Sequence, residues 1–296
     1  MSDTTLHTPD TLRARSEEVS AYLPALLADA QHLAATVLLG EHGRKRAGQG
    51  DNFWQYRPAQ PGDSRRRIDW RQSGRSDGHY VRETEWQAAQ SVMLWVDDAG
   101  SMTYSGHKDR PSKLRRAQTL GMAIAILAQR AGERIGLMNL PEPPRSGKAQ
   151  LLNMARALMD PSETADYGAP RPQVLPNGSR GVFFSDFMGD ITATETALTT
   201  AADRGVKGAI VHVLDPTEES FPFDGRTVFQ SMTGAVEFET MRAKTLRDAY
   251  LDRLAARKAA LQTLCARTGW RYYCHHTDGS AEPALLWLYA ALERAR

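Results

Sequence analysis

Two short apolar runs break off on aspartate, and they limit the folds open to this chain more than any other feature. Val92–Met102 reads VMLWVDDAGSM, and Gly181–Phe187 reads GVFFSDF. Neither run alternates with polar residues, so each suits a strand covered on both faces, the habit of a parallel sheet. In such sheets ligands sit beyond the carboxyl ends of the strands, where the winding changes direction. Asp97 and Asp186, with Ser101 and Ser185 beside them, are thereby predicted to meet at one strand-end crevice and to face its rim.

From Ser91 onward strand and helix patterns alternate. The pattern predicts strands at 91–97, 133–140, 180–186, 206–214 and 270–275, and helices opened by Ser112 and at 147–159, 190–204, 241–268 and 281–295. That alternation predicts an α/β fold with a doubly wound, mostly parallel, Rossmann-type sheet. Residues 216–239 interrupt it around two glycine turns and read as an inserted hairpin. Ahead of the sheet, residues 1–15 read as a disordered tail. Apolar residues from Val19 to Leu38 recur every three or four positions, predicting an amphipathic N-terminal helix over 16–39 with Pro24 as its weak point. Residues 41–85 are the most basic stretch. Glycine and proline turns and the aromatics Phe53, Trp54, Tyr56, Trp70 and Tyr80 predict short strands and loops there. The expected organisation is therefore a tail at 1–15, a helix plus basic segment at 16–85 packed on the main domain, and the α/β domain at 86–296.

Composition excludes several classes. A formal charge of +2 on 296 residues gives no global field for nucleic acid or anionic membrane. Two cysteines, Cys265 and Cys274, cannot build a disulfide framework and suit a reducing compartment. No run approaches a membrane span, and the N-terminus lacks the pattern of a secretory signal, so a cytoplasmic location is expected.

Asp97, Ser101 and Asp186 offer the hard oxygens that a divalent cation seeks from several loops, and the loop Ser146–Gln150 is expected at the same rim. The competing reading is that both acids cap neighbouring turns. A nucleotide-hydrolysing reading of Asp97–Asp98 lacks a phosphate cradle, since RSGKAQ at Arg145 has no upstream glycine and no Ser or Thr after Lys148. A two-carboxylate phosphatase signature would place an acid at Ala99. Cys274-His275-His276 with Cys265 is a poor zinc set, because Cys265 falls inside a predicted helix. In the basic segment, acids such as Asp63, Asp69 and Asp77 sit among the arginines, so internal ion pairs compete with phosphate binding.

The segments GEHGRKRAGQGDNFWQYRPAQPGDSRRRIDWRQSGRSDGHYVRETEW, VMLWVDDAGSM, SKLRRAQTLGMAIAILAQRAGERIGLM, SDF and LDPTE closely resemble the family called domain of unknown function fifty-eight, from about Leu38 to the C-terminus. The resemblance implies a von Willebrand factor A-like domain carrying a metal-ion-dependent adhesion site. It also implies an adaptor or chaperone-like partnership with a MoxR-type AAA+ ATPase. In the site pattern Asp-x-Ser-x-Ser, Asp97 and Ser101 match, Ala99 replaces the first serine, and Asp186 matches the late aspartate. The threonine is expected near Gly147–Gln150, where Lys148 and Ala149 stand instead. Two readings follow. Magnesium or manganese is held weakly by Asp97, Ser101 and Asp186 with waters, or Lys148 places its ammonium between the carboxylates and replaces the cation.

The expectation is a non-enzymatic interaction protein presenting Asp97, Asp98, Ser101, Lys148 and Asp186, with Arg67, Asp69, Trp70 and Arg75 of the basic segment extending the surface. The ATPase or another protein would dock there. A rival is a metal-dependent phosphoesterase using Asp97, Asp98 and Asp186, with His107 as the nearby base; a third reading binds nucleic acid through residues 41–85.

Overall fold

A computed structural model describes residues 24–36, 47–60, 68–74, 79–85, 90–160, 165–171, 175–232, 234 and 237–293. The chain divides into two units, one formed by residues 1–39 and 91–296, the other by residues 40–90. The N-terminal helix thus belongs with the α/β domain, and the basic segment forms a unit of its own.

Five parallel strands make the main sheet: β3 (Ser91–Val96), β4 (Arg134–Leu137), β5 (Arg180–Ser185), β6 (Lys207–Leu214) and β9 (Arg271–His276). Their spatial order is β4-β3-β5-β6-β9. The chain starts inside the sheet at β3, steps out to β4, then crosses back to β5. Winding therefore reverses between β3 and β5, which is where a doubly wound sheet opens a crevice. Val96 lies opposite Phe184 in the register, and the Asp97 amide donates to the Phe184 carbonyl at 2.9 Å. That pairing puts the residue after β3 beside the residue after β5.

The strands read as uninterrupted apolar runs because alternate residues serve two cores. Leu94, Val96, Val182, Phe184, Val211 and Val213 pack toward α3 (Lys113–Arg130), α4 (Lys148–Met159) and α8 (Glu282–Glu293). Helix α1 (24–35) joins this side through Leu26, Ala30, Leu33 and Ala34. Met93, Trp95, Phe183 and Ile210 pack toward α5 (Ile191–Asp203) and α7 (Arg247–Thr268). Residues 16–23 of the expected N-terminal helix, and the expected tail, lie outside the described residues.

The insertion differs from the expected hairpin over 216–239. It opens with a helical turn, α6 (Pro216–Ser220), before the hairpin of β7 (Thr227–Gln230) and β8 (Glu237–Thr240). The reason is local. Asp215 accepts from the Thr217 amide at 2.9 Å, the Glu218 side chain reaches back to the Asp215 amide at 2.7 Å, and Pro216 holds the first helical position. Reciprocal capping of this kind nucleates a helix start.

In the smaller unit, β1 (Ala47–Pro58) and β2 (Tyr80–Glu85) pair antiparallel, with a single helical turn, α2 (Trp70–Ser73), between them. Ser73 Oγ donates to the Asp69 carbonyl at 2.7 Å and accepts from the Tyr80 amide at 2.9 Å, fastening that turn to β2.

Candidate functional site

Both strand ends turn sharply over their own polar side chains. After β3, Asp97 Oδ1 accepts from the Ala99 amide at 3.0 Å and Oδ2 accepts from Ser185 Oγ at 2.6 Å. After β5, Ser185 Oγ accepts from the Phe187 amide at 2.8 Å and Asp186 Oδ1 from the Met188 amide at 3.0 Å. Each side chain satisfies an amide two residues on, the habit of Asx and Ser turns. Phe187 takes a left-handed backbone with φ of 48°, a strained state for a bulky residue. Arg257 of α7 braces this turn by donating to the Phe187 and Gly189 carbonyls at 2.8 and 2.7 Å.

The loop 165–168 closes over the first turn. The Gly100 and Ser101 amides donate to the carbonyls of Ala165 and Asp166 at 2.9 and 2.8 Å. Gly168 lies so close that any Cβ there would overlap Asp97 Oδ1.

The centre of the crevice is filled by a lysine. Lys113 is the first residue of α3, directly after the Ser112 cap, and is only 1% exposed. Its Nζ donates to Asp186 Oδ2 at 2.8 Å and to Glu218 Oε1 at 2.6 Å, and lies 5.8 Å from the centre of the Tyr104 ring. A cation at a helix N-terminus works against the helix dipole. Two carboxylates at hydrogen-bonding distance offset that cost.

Charge follows burial. Burial lifts the Asp97 carboxyl to about 6 against the hydrogen bonds from Ser185 and Ala99, with nearby Asp186 and Asp98 adding to the rise. Burial also acts on Asp186, but the Lys113 ammonium outweighs it and holds that carboxyl below the ordinary range. Burial works against the Lys113 charge, yet Asp186 and Glu218 keep it above the usual lysine value. Glu218 is raised, because burial outweighs what Lys113 returns. Lys113 therefore bridges two acids, Asp186 at 2.8 Å and Glu218 at 2.6 Å, of which Asp186 is the more deeply buried.

Residues 55–260 match the family described as "Protein of unknown function DUF58". The chain belongs to this family. Uncharacterized proteins of Mycobacterium tuberculosis (strains CDC 1551 and H37Rv) and of Mycobacterium bovis are each 27% identical over 270 residues, spanning 86% of this chain and 84% of the relative. No solved structure matches.

Within this family member, the structure brings Asp97, Ser101 and Asp186 together at the switch point. It does not place the two acids on the rim, since each is 1% exposed. Their own turns draw the carboxylates inward. Asp98, half-buried, lines a small polar cavity of about 50 Å³ with Asp97, Asn139 and Arg171. Lys148 begins α4 as an exposed residue and is not on the walls of the strand-end cavities; the lysine between the acids is Lys113. His107 is exposed, with Nδ1 3.5 Å from Asp109. Asp69 and Trp70 lie in the smaller unit, where Asp69 accepts from the Tyr56 hydroxyl at 3.1 Å and Trp70 is 58% exposed. Arg67 and Arg75 fall outside the described residues.

The donors do not fit a hydrated divalent cation. Ser101 Oγ is buried against Asp186, where a ligand hydroxyl would stand. But an ammonium already sits on Asp186, Asp97 is engaged by Ser185 and Ala99, and Ala99 supplies no hydroxyl. A second cluster brings Glu219, Cys274 and His276 within 4.8 Å of one another. There His276 Nε2 bonds Glu219 at 2.7 Å and Lys258 pairs with the same carboxylate, so the group is already an ion-pair network. Cys265 is buried in α7, apart from that cluster, and burial lifts its thiol to about 12.

Above the lysine a cavity of about 470 Å³ is walled by Tyr167, Met188, Tyr250, Arg253 and Arg257. A second, apolar cavity of about 550 Å³ adjoins it through shared Tyr104, Glu218, Tyr250 and Arg253, and is lined by Phe221, Phe223, Phe229 and Phe238. Among the described residues, no helix is long and apolar enough to cross a membrane.

Proposed function

We propose that this chain is a non-enzymatic interaction module that docks a protein partner on the β7–β8 hairpin and the aromatic cavity beneath it. The supporting observation is exposed apolar surface on both faces and at the ends of one hairpin. Val228, Met232, Phe238 and Met241 are 50, 48, 53 and 70% exposed, in and immediately beside the hairpin that borders the strand-end crevice. Of these, Phe238 lines the aromatic cavity and Met232 the cavity over Lys113, and apolar groups at a cavity mouth mark interaction sites far more than scattered ones do. Aromatic anchors set in pockets carry most of the binding energy in such contacts. A metal-dependent phosphoesterase is a poorer reading, because two of the acids it needs, Asp97 and Asp186, are engaged with Lys113, Ser185 and backbone amides.

By family resemblance, the partner is a MoxR-type AAA+ ATPase, and the role is that of an adaptor or chaperone-like assembly factor. Co-purification with that ATPase tests the reading directly. Phe238→Asp and Val228→Asp each weaken capture by at least about tenfold while leaving the far-ultraviolet circular dichroism unchanged. Undiminished capture by both variants would remove the hairpin from the interface.

A further inference from the structure

We infer that Lys113 is a built-in cation of the strand-end crevice, which therefore needs no metal ion, and that deleting its ammonium uncovers an oxygen-donor site for a divalent cation. The inference concerns how the crevice is held and does not depend on what docks at the hairpin.

Three carboxylates, Asp97, Asp186 and Glu218, converge on the switch point from β3, β5 and α6, with Ser101 Oγ among them. Such a group of acids, two of them out of contact with water and Glu218 15% exposed, requires a positive charge. The usual choices are a hard metal ion or a positively charged side chain. Here the charge arrives on the first turn of α3. Its two hydrogen bonds, at 2.8 and 2.6 Å, tie that helix to the β5 turn and to α6. Magnesium–oxygen bonds are about 2.0–2.1 Å long and demand an octahedron. The 2.8 and 2.6 Å contacts of Asp186 and Glu218 are those of ammonium hydrogen bonds, longer than direct metal–oxygen bonds, so the crevice as it stands is set around the lysine.

The Ser101 hydroxyl is buried against Asp186, whose carboxyl it helps to hold low, and it lines the same cavity as Lys113. It fits as one donor of a site whose other donors have been taken by the lysine. A tethered cation cannot dissociate, so the arrangement of α3, the β5 turn and α6 is fixed at any metal concentration. Since α6 leads into the hairpin, the same lock holds the root of the exposed apolar surface.

Titration with Mn²⁺, followed by electron paramagnetic resonance and by thermal unfolding with and without a chelator, tests both parts. Wild-type protein is expected to show no saturable binding below about 1 mM and the same melting temperature in either condition. Lys113→Ala is expected to bind Mn²⁺ at least about tenfold more tightly than wild type and to regain melting temperature as Mg²⁺ or Mn²⁺ is added. Lys113→Ala combined with Asp186→Asn and Glu218→Gln should lose that gain. A folded Lys113→Ala protein indifferent to metal overturns the uncovered site. Should that variant not fold, the wild-type arm decides: tight Mn²⁺ binding abolished by Asp186→Asn overturns the built-in cation. Neither result bears on capture of the ATPase, so the docking reading stands or falls separately.

Discussion

Glu218 and Glu219 are neighbours on one helical turn, yet they live in different electrostatic worlds. Glu218 points into the crevice and meets Lys113, whose side chain is 2% exposed. Glu219 points to the other side and meets His276 and Lys258, in a setting where all three side chains are about a quarter to a third exposed. The residue type and its helix are identical; only depth differs. Water screens the outer network and leaves it nearly dispensable, whereas the inner one stands where any unpaired charge is severely penalised.

The largest expected effect comes from breaking the inner network. Lys113→Met leaves two carboxylates without their cation and should cost about 3–5 kcal/mol in urea unfolding. A loss below about 1 kcal/mol would mean that the inner and outer networks are equivalent after all.

Asp97 sharpens the contrast through pH. Its folded pKa of about 6 lies above the unfolded value of 3.8, so the native state binds the extra proton between those limits. Stability from this group is full below pH 4, declines as pH rises through 6, and is lost at neutral pH. Asp97→Asn should therefore stabilise the protein at pH 8 by about 2–3 kcal/mol and flatten the pH dependence of its melting between 4 and 7. A variant that is less stable at pH 8 would show that the ionised carboxylate is needed there.

At the outer network, Glu219→Gln should change stability by less than about 1 kcal/mol, and added salt should erase the difference. A salt-resistant loss of several kcal/mol would place Glu219 in the protected class with Glu218.

Much of the fold was legible because strands covered on both sides announce themselves as apolar runs. The ends of β3 and β5, with Asp97 and Asp186, followed from that pattern alone. Depth did not follow. Nothing in the order of residues says that the Ser185 hydroxyl and the Ala99 amide will draw Asp97 inward, since both contacts arise only once the turns have formed. Lys113 was missed in favour of Lys148 because its partners stand 73 and 105 positions away along the chain. A weak signal was nonetheless present: a lysine placed directly after the Ser112 cap opposes the helix dipole, which a neighbouring carboxylate offsets. Glu218 was announced too, by Asp215-Pro216-Thr217-Glu218, a capping signature hidden inside what reads as a hairpin. The basic segment gave its strands but not its role.

Gly168 carries an evolutionary corollary. Because a carboxylate oxygen fills the space a side chain would take, the two positions can only drift together: a descendant that acquires even alanine at 168 must first have surrendered the acid at 97 or rebuilt the loop. Relatives that retain one without the other would therefore have inherited a different floor to this crevice.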